Sequence, residues 1–257
     1  MKKYFVYLLS VLFLSSCFSE PEEFTVINPD QEFKIDLNQS LSPEGPHLVI
    51  EISSIDEFNC PNVEIVNSLS TTESMVELMI EKFKIPSGCE NNSGSVIVDV
   101  AKGQNSAFLT NDIYHLIIGA DELFQNEGTL SVTEQDFSIN LPFTEGIILG
   151  KSSIKKIPVN HVWGTLNTSS SSLTFDEFNS GLEAYVRKSQ ILNSGEYGLF
   201  AIDSSDQISF PDFTVTSETV FIFEIVDLNG LKNYITDVRE SFPDIELVIS
   251  LSDGANL

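Results

Sequence analysis

From Phe24 to about Phe143 the apolar residues arrive in short, β-branched runs broken by Gly, Pro, Asn and Ser. This spacing constrains the fold more than any other feature, because runs of that length fill a strand and fall short of a helix. Nine strands are predicted: Phe24–Ile27, Glu32–Leu37, His47–Ile52, Val63–Val66, Val96–Val100, Ala107–Thr110, Tyr114–Ile118, Gly128–Thr133 and Phe137–Leu141. Their separation of roughly 8–15 residues, with turn residues between, is the pattern of an antiparallel β-sandwich. Phe33, Ile35 and Leu37 alternate with Lys34 and Asp36, so one face is buried and the other wet. Met75 to Ile85 reads two ways. Val76, Leu78 and Ile80 alternate with Glu77 and Glu81 as in a strand, whereas Met75, Met79 and Lys82 also fit a helix. The alternation favours the strand.

Past Gly146 the pattern shifts. The stretch Gly146 to Val159 holds Lys151, Lys155 and Lys156 and ends on Pro158-Val159, which marks a junction between two parts. Beyond it Thr174-Phe175-Asp176-Glu177 reads as a helix cap, and Phe175, Phe178, Leu182, Tyr185 and Val186 follow at helical spacing, with Arg187 and Lys188 near the far end. A second helix is signalled by Asn229 and carries Leu231, Ile235, Val238 and Phe242 before Pro243. Strands are predicted at Val162–Leu166, Tyr197–Ile202, Val220–Val226 and Ile245–Leu251, with Ile208–Val215 as an extra hairpin arm. The resulting order, β-α-β-β-α-β, resembles a ferredoxin-like split unit, and other α+β sandwiches share it. The predicted chain is β-rich and in two parts: an Ig-like antiparallel β-sandwich over 24–145, a junction over 146–160, and a smaller α+β domain over 161–257.

The first residues read as an address. Met1-Lys2-Lys3 is basic, and Tyr4 to Leu14 is apolar apart from Ser10. Eleven residues reach about 16 Å as a helix, roughly half a hydrocarbon core, so a secretory signal fits better than a membrane span. Leu14-Ser15-Ser16-Cys17 resembles the lipobox of bacterial lipoproteins. That resemblance implies removal of residues 1–16 by signal peptidase II, lipidation of Cys17, and a stable two- or three-chain membrane anchor. Phe18 stands where an Asp would imply inner-membrane retention, which points to the outer membrane, on its periplasmic face or the cell surface. Residues 17–23 continue as Ser19-Glu20-Pro21-Glu22-Glu23, which resembles the acidic export tether of Bacteroidota surface lipoproteins and reads equally as a solvated linker.

Charge narrows the partners. The chain has 38 acidic and 13 basic residues; removal of Lys2 and Lys3 leaves 11 basic residues and a net charge of -27. Such a surface excludes nucleic acid and is repelled by anionic head groups, so the membrane is reached through the lipid on Cys17. Cys60 and Cys89, with 28 residues between them, are expected to pair in an oxidising compartment, contributing roughly 3–4 kcal/mol. No phosphate-binding loop, dinucleotide fingerprint, nucleophile elbow, HExxH or EF-hand string is present. No cofactor and no metal site are expected. Asp203 with Asp206, and Asp244 with Glu246, fall short of a calcium set and read as solvated. His115 reads as a sheet-face residue. His161 and Trp163 would share one side of a strand, either as an aromatic binding platform or as a buried anchor.

The expected protein is a lipid-anchored envelope module that binds or supports and does not catalyse, with an envelope protein or glycan as partner. The alternative is a carbohydrate-binding or carbohydrate-active surface lipoprotein. The candidate ligand-binding residues are His161, Trp163, Lys151, Lys155 and Lys156.

Overall fold

The computed structural model describes residues 24–25, 33–55, 64–84, 95–99, 109–120, 123–169, 171–210 and 219–257. Cys17, Cys60 and Cys89 lie outside the described residues. The chain is β-rich. A seven-stranded sheet is formed by β1 (Phe24–Thr25), β4 (Glu64–Thr71), β5 (Met75–Lys84), β7 (Asp112–Ala120), β8 (Phe124–Val132), β9 (Asp136–Asn140) and β11 (Ser153–Lys155). A four-stranded sheet holds β10 (Ile147–Leu149), β2 (Phe33–Ser42), β3 (Gly45–Ser54) and β6 (Ser95–Asp99), in that spatial order. Phe33, Ile35, Leu37, Ile50 and Ile52 of the smaller sheet share one buried cluster with Val76, Leu78, Ile80, Leu116, Ile118 and Leu130 of the larger. Two sheets facing each other across one core make a sandwich-like layer pair.

The sandwich departs from the expected pattern in particular places. Two pairs are parallel: β5 with β7, from Met75↔His115 to Met79↔Gly119, and β10 with β2. Between β5 and β7 the chain visits the other sheet at β6, and such a crossover returns a strand in the direction it left. The ambiguous Met75 segment is a strand, and Leu109-Thr110, predicted as part of one, is not. The stretch expected to be a junction supplies β10 to one sheet and β11 to the other.

The last third forms a second arrangement. Strands β12 (His161–Asn167), β13 (Val186–Arg187), β17 (Thr219–Ile225) and β18 (Glu246–Leu251) make a sheet in the order β13-β17-β12-β18, antiparallel throughout. Helix α1 (Phe175–Leu182) and helix α2 (Leu228–Ser241) connect its strands. The split-unit order is present, but its second strand is Val186–Arg187 and not Tyr197–Ile202. Helix α1 stops at Leu182, so Tyr185, Val186 and Arg187, expected on the helix, lie beyond it. The predicted cap is there: Thr174 Oγ1 accepts from the Glu177 N–H at 3.2 Å, and Glu177 Oε2 accepts from the Thr174 N–H at 2.9 Å. The second cap is Asp227 and not Asn229, with Asp227 Oδ1 accepting from the Gly230 N–H at 3.0 Å. Helix α1 comes close to α2 because position 181 is glycine: a Cβ there would lie 2.3 Å from Tyr234 Oη.

Between β13 and β17 the chain inserts a small meander, β14 (Gly195–Glu196), β15 (Ala201–Ile202) and β16 (Ile208–Ser209). Strand β12 is buried on both sides as a result, and the polar residues on its meander side, His161 and Thr165, are 1% and 3% exposed. Val162 and Leu166 face the helices, while Trp163 faces the meander and packs with Ile157, Tyr197, Phe200 and Phe210.

Candidate functional site

Strand β2 passes between two cores. Its inward positions Phe33, Ile35 and Leu37 enter the sandwich core, and Leu41, in the same alternation, packs on the Trp163 core. At the seam stands Gln39, 3% exposed. Its Nε2 donates to the Lys155 carbonyl at 2.8 Å and to the Tyr197 carbonyl, and its Oε1 accepts from the Ile157 N–H at 3.0 Å. A buried amide placed this way satisfies three backbone groups at once. It ties the sandwich, the strap after β11 and the meander together.

Beside the seam lies a cleft of about 510 Å³, within the size range of small-molecule sites. One wall is the outward face of β2 and β3, including Asn38, Ser40, Val49 and Glu51; the other comes from β12 and β18. Leu41, Val49, Trp163, Leu199, Phe210 and Val248 give it a mainly apolar lining. Glu51, the one titratable group among the described lining residues, accepts from Asn38 Nδ2 at 2.6 Å. Of its hydroxyls, that of Ser250 donates to Asn256 Oδ1 at 3.0 Å, and Ser40 lies directly across the β2–β3 pair from His47. Its far end is closed by the C-terminal tail, where Gly254 sits at φ +82; a Cβ there would lie 2.5 Å from the Leu41 carbonyl oxygen.

A second cleft, about 720 Å³, opens on the other side of the strap. It is lined by the β2–β3 turn (Glu44, His47), the β8–β9 turn (Glu134, Gln135), the strap from Lys155 to Val159, and the start of the meander (Ile191, Asn193, Tyr197). Burial pushes the Lys156 ammonium below its ordinary value, against the raising effect of Asp136 and Glu134. The Tyr197 hydroxyl is pushed up by burial, although its bond to the Asn193 backbone works the other way.

No family model, curated protein or solved structure matches the chain. The site therefore stands on its own geometry.

The structure divides the candidate residues. Trp163 lines the first cleft, but it is 4% exposed and packs against Phe200 with ring centroids 5.6 Å apart, so it offers no open ring face. His161 shares its side of the strand and is 1% exposed; Nδ1–H donates to the Val159 carbonyl and Nε2 meets Ser189 Oγ, both at 2.9 Å. The pair forms an anchor rather than a stacking platform. Lys155 and Lys156 line the second cleft, while Lys151 lies elsewhere: its backbone N–H donates to Asp36 Oδ1 at 2.6 Å, fixing the chain after β10 beside β2. His115 is on the outer sheet face, 3.4 Å from Glu127. Asp203 Oδ1 accepts from the Ser205 and Gln207 N–H groups in a turn, and Glu246 accepts from Asn167. Among the described residues no group of three or more His, Cys, Asp or Glu is placed to hold a metal ion, and no helix is long and apolar enough to cross a membrane. Gln39 was missed by sequence reasoning, although it occupies the next inward position after Leu37.

Proposed function

We propose that this protein is an envelope lipoprotein, anchored through Cys17 at the outer membrane, whose folded part is a non-catalytic binding module. The observation that carries the reading is the first cleft: a mainly apolar seat of about 510 Å³ in which Glu51, the one carboxylate among the described lining residues, accepts a hydrogen bond from Asn38. Its ligand is uncharged and largely apolar, since an anion would meet both Glu51 and the processed chain's net charge of -27. The sandwich, Ig-like in the loose sense of two face-packed sheets, and the α+β unit act as two domains joined at the Gln39 seam, with the cleft at their boundary. Cys60 and Cys89 form a disulfide, which mass measurement before and after reduction reads directly.

Two measurements test the proposal. Cells fed radiolabelled palmitate should label the full chain and not its Cys17→Ser form; label that persists in the variant refutes the anchor. The Cys17→Ser full chain should bind a neutral apolar fluorophore saturably, and Val248→Arg at the cleft wall should weaken that binding at least about tenfold. Binding unaffected by the arginine refutes the seat.

A further inference from the structure

We propose that the end of the sandwich carrying Phe143 rests on the lipid bilayer, with that ring seated at the head groups of neutral phospholipids. The inference rests on the Cys17 anchor proposed above and adds which surface of the folded part meets the membrane. Strand β1 pairs with β5 at Phe24↔Lys84 and Thr25↔Phe83. Strand β4 lines the other edge of β5 along its whole length, so β1 and β7 share one edge. There β7 is paired with β5 as far as Met79↔Gly119, which puts β1 beside the β7–β8 turn. Phe24 comes 7 residues after Cys17, a reach of about 25 Å at most. The ten-residue strands β3 and β5 make the sandwich about 33 Å tall. The tether therefore brings the near end to the bilayer and is too short to bring the far one.

Contacts between the two sheets define that end. The Phe33 and Phe124 rings, at the starts of β2 and β8, lie 6.4 Å apart, and the Phe33 N–H donates to the Gly146 carbonyl at 2.9 Å. The β9–β10 connection is fixed there by Asn126, which is 4% exposed. Its Nδ2 donates to the Glu145 carbonyl at 2.8 Å, and its Oδ1 accepts from the Glu145 N–H at 2.7 Å. A buried amide satisfied at both atoms holds the loop in place. That loop displays Phe143 at 85% exposure, the highest of the large apolar residues described and the one aromatic among those exposed. Leu123 in the β7–β8 turn is 36% exposed, and Ile55, next to the Ser54 that pairs with Phe33, is 42% exposed. Removing such side chains from water is favourable, and aromatic rings collect at the level of the head groups.

Charge selects the lipid. Asp121 and Glu122 belong to the β7–β8 turn and Glu145 to the Phe143 loop. Against them stand Lys84 and Lys34, and Lys34 is already paired with Asp36. Anionic head groups are repelled, so the contact is with zwitterionic lipid and is made by the apolar side chains. Because the anchor keeps lipid within reach of this end, lipid is its occupant.

The test uses the full chain from cells fed radiolabelled palmitate, reconstituted into phosphatidylcholine vesicles brominated on the acyl chains. Two variants each place a reporter at an exposed site: Phe143→Trp at the near end, and Ile113→Trp, at a position 65% exposed beside Asp112 at the opposite end of β7. Emission is compared with that in vesicles without bromine, after subtraction of the parent chain's signal from Trp163, which is 4% exposed. Emission from position 143 should fall at least about twofold, and that from position 113 should stay unchanged. Brominated phosphatidylglycerol in place of part of the lipid should not increase the quenching. A labelled chain that floats with the vesicles but is unquenched at position 143 overturns the orientation and leaves the anchor standing. Equal quenching at the two positions, or stronger quenching with anionic lipid, overturns it as well. A chain that carries no label and does not float refutes the anchor, and the proposal falls with it.

Discussion

Replacing Gln39 by alanine should loosen the seam between the sandwich and the Trp163 core. The loss is largest at the Ile157 N–H, a donor on a residue that is 0% exposed and whose acceptor is Gln39 Oε1. An orphaned buried donor costs about 1–3 kcal/mol. The Tyr197 carbonyl loses one donor but keeps the Leu199 N–H at 2.9 Å, and the Lys155 carbonyl loses a bond of 2.8 Å. Under-satisfied carbonyls are tolerated better than orphaned amides, so the total comes to about 2–4 kcal/mol. Urea unfolding followed by Trp163 fluorescence and by circular dichroism measures this, since the single tryptophan lies in the core that Gln39 clamps. The fluorescence midpoint should fall further than the dichroism midpoint, which reports all sheets. Gln39→Glu should destabilise at least as much as Gln39→Ala, because it keeps the volume but sets a carboxylate against two carbonyls. A loss below about 0.5 kcal/mol for alanine, or a near-neutral glutamate, refutes the clamp.

Three further outcomes follow from the same geometry. Burial acts to raise the Asp36 carboxyl, but the bonds from Lys34 and the Lys151 backbone and the two lysine charges together hold it below its ordinary value. A group depressed in the folded state stabilises above its unfolded value and loses that contribution as pH falls through the folded one. Asp36→Asn should therefore reduce stability at neutral pH and flatten the acid limb below about pH 4, measured by urea titration across pH. Gly181→Ala, whose Cβ would lie 2.3 Å from Tyr234 Oη, should cost about 1–3 kcal/mol in chemical denaturation. Thr174→Ala removes the bonds of the Thr174 hydroxyl, from the Glu177 N–H and to Glu177 Oε2, while the backbone N–H of residue 174 keeps its own, and should cost about 1 kcal/mol in the same assay.

What could be read in advance was set by local periodicity. The alternation at Phe33, Ile35 and Leu37 located β2, and carried two residues further it puts Gln39 on the buried side. Strong helix signals placed α1 and α2, but periodicity ran on past Leu182 because Tyr185 pairs with Tyr234 of α2 from outside the helix. That contact imitates one more helical turn and hid strand β13. The parallel pairing of β5 and β7 leaves no local trace, since it depends on where the chain crosses between sheets. Strand parity put His161 and Trp163 on one side correctly; their burial depends on a meander some thirty residues away in the chain. Lys151, Lys155 and Lys156 form one sequence cluster, yet β11 carries the last two to the second cleft and leaves Lys151 beside Asp36.

The first cleft as a ligand seat is the centre of the account, and Trp163 in its wall provides a direct reading. The decisive measurement is energy transfer from Trp163 to N-phenyl-1-naphthylamine on the Cys17→Ser full chain, with and without Val248→Arg. Saturable transfer that the arginine abolishes is the expected result. Absence of saturable transfer, or transfer that the arginine leaves unchanged, contradicts a binding seat between the sandwich and the α+β unit.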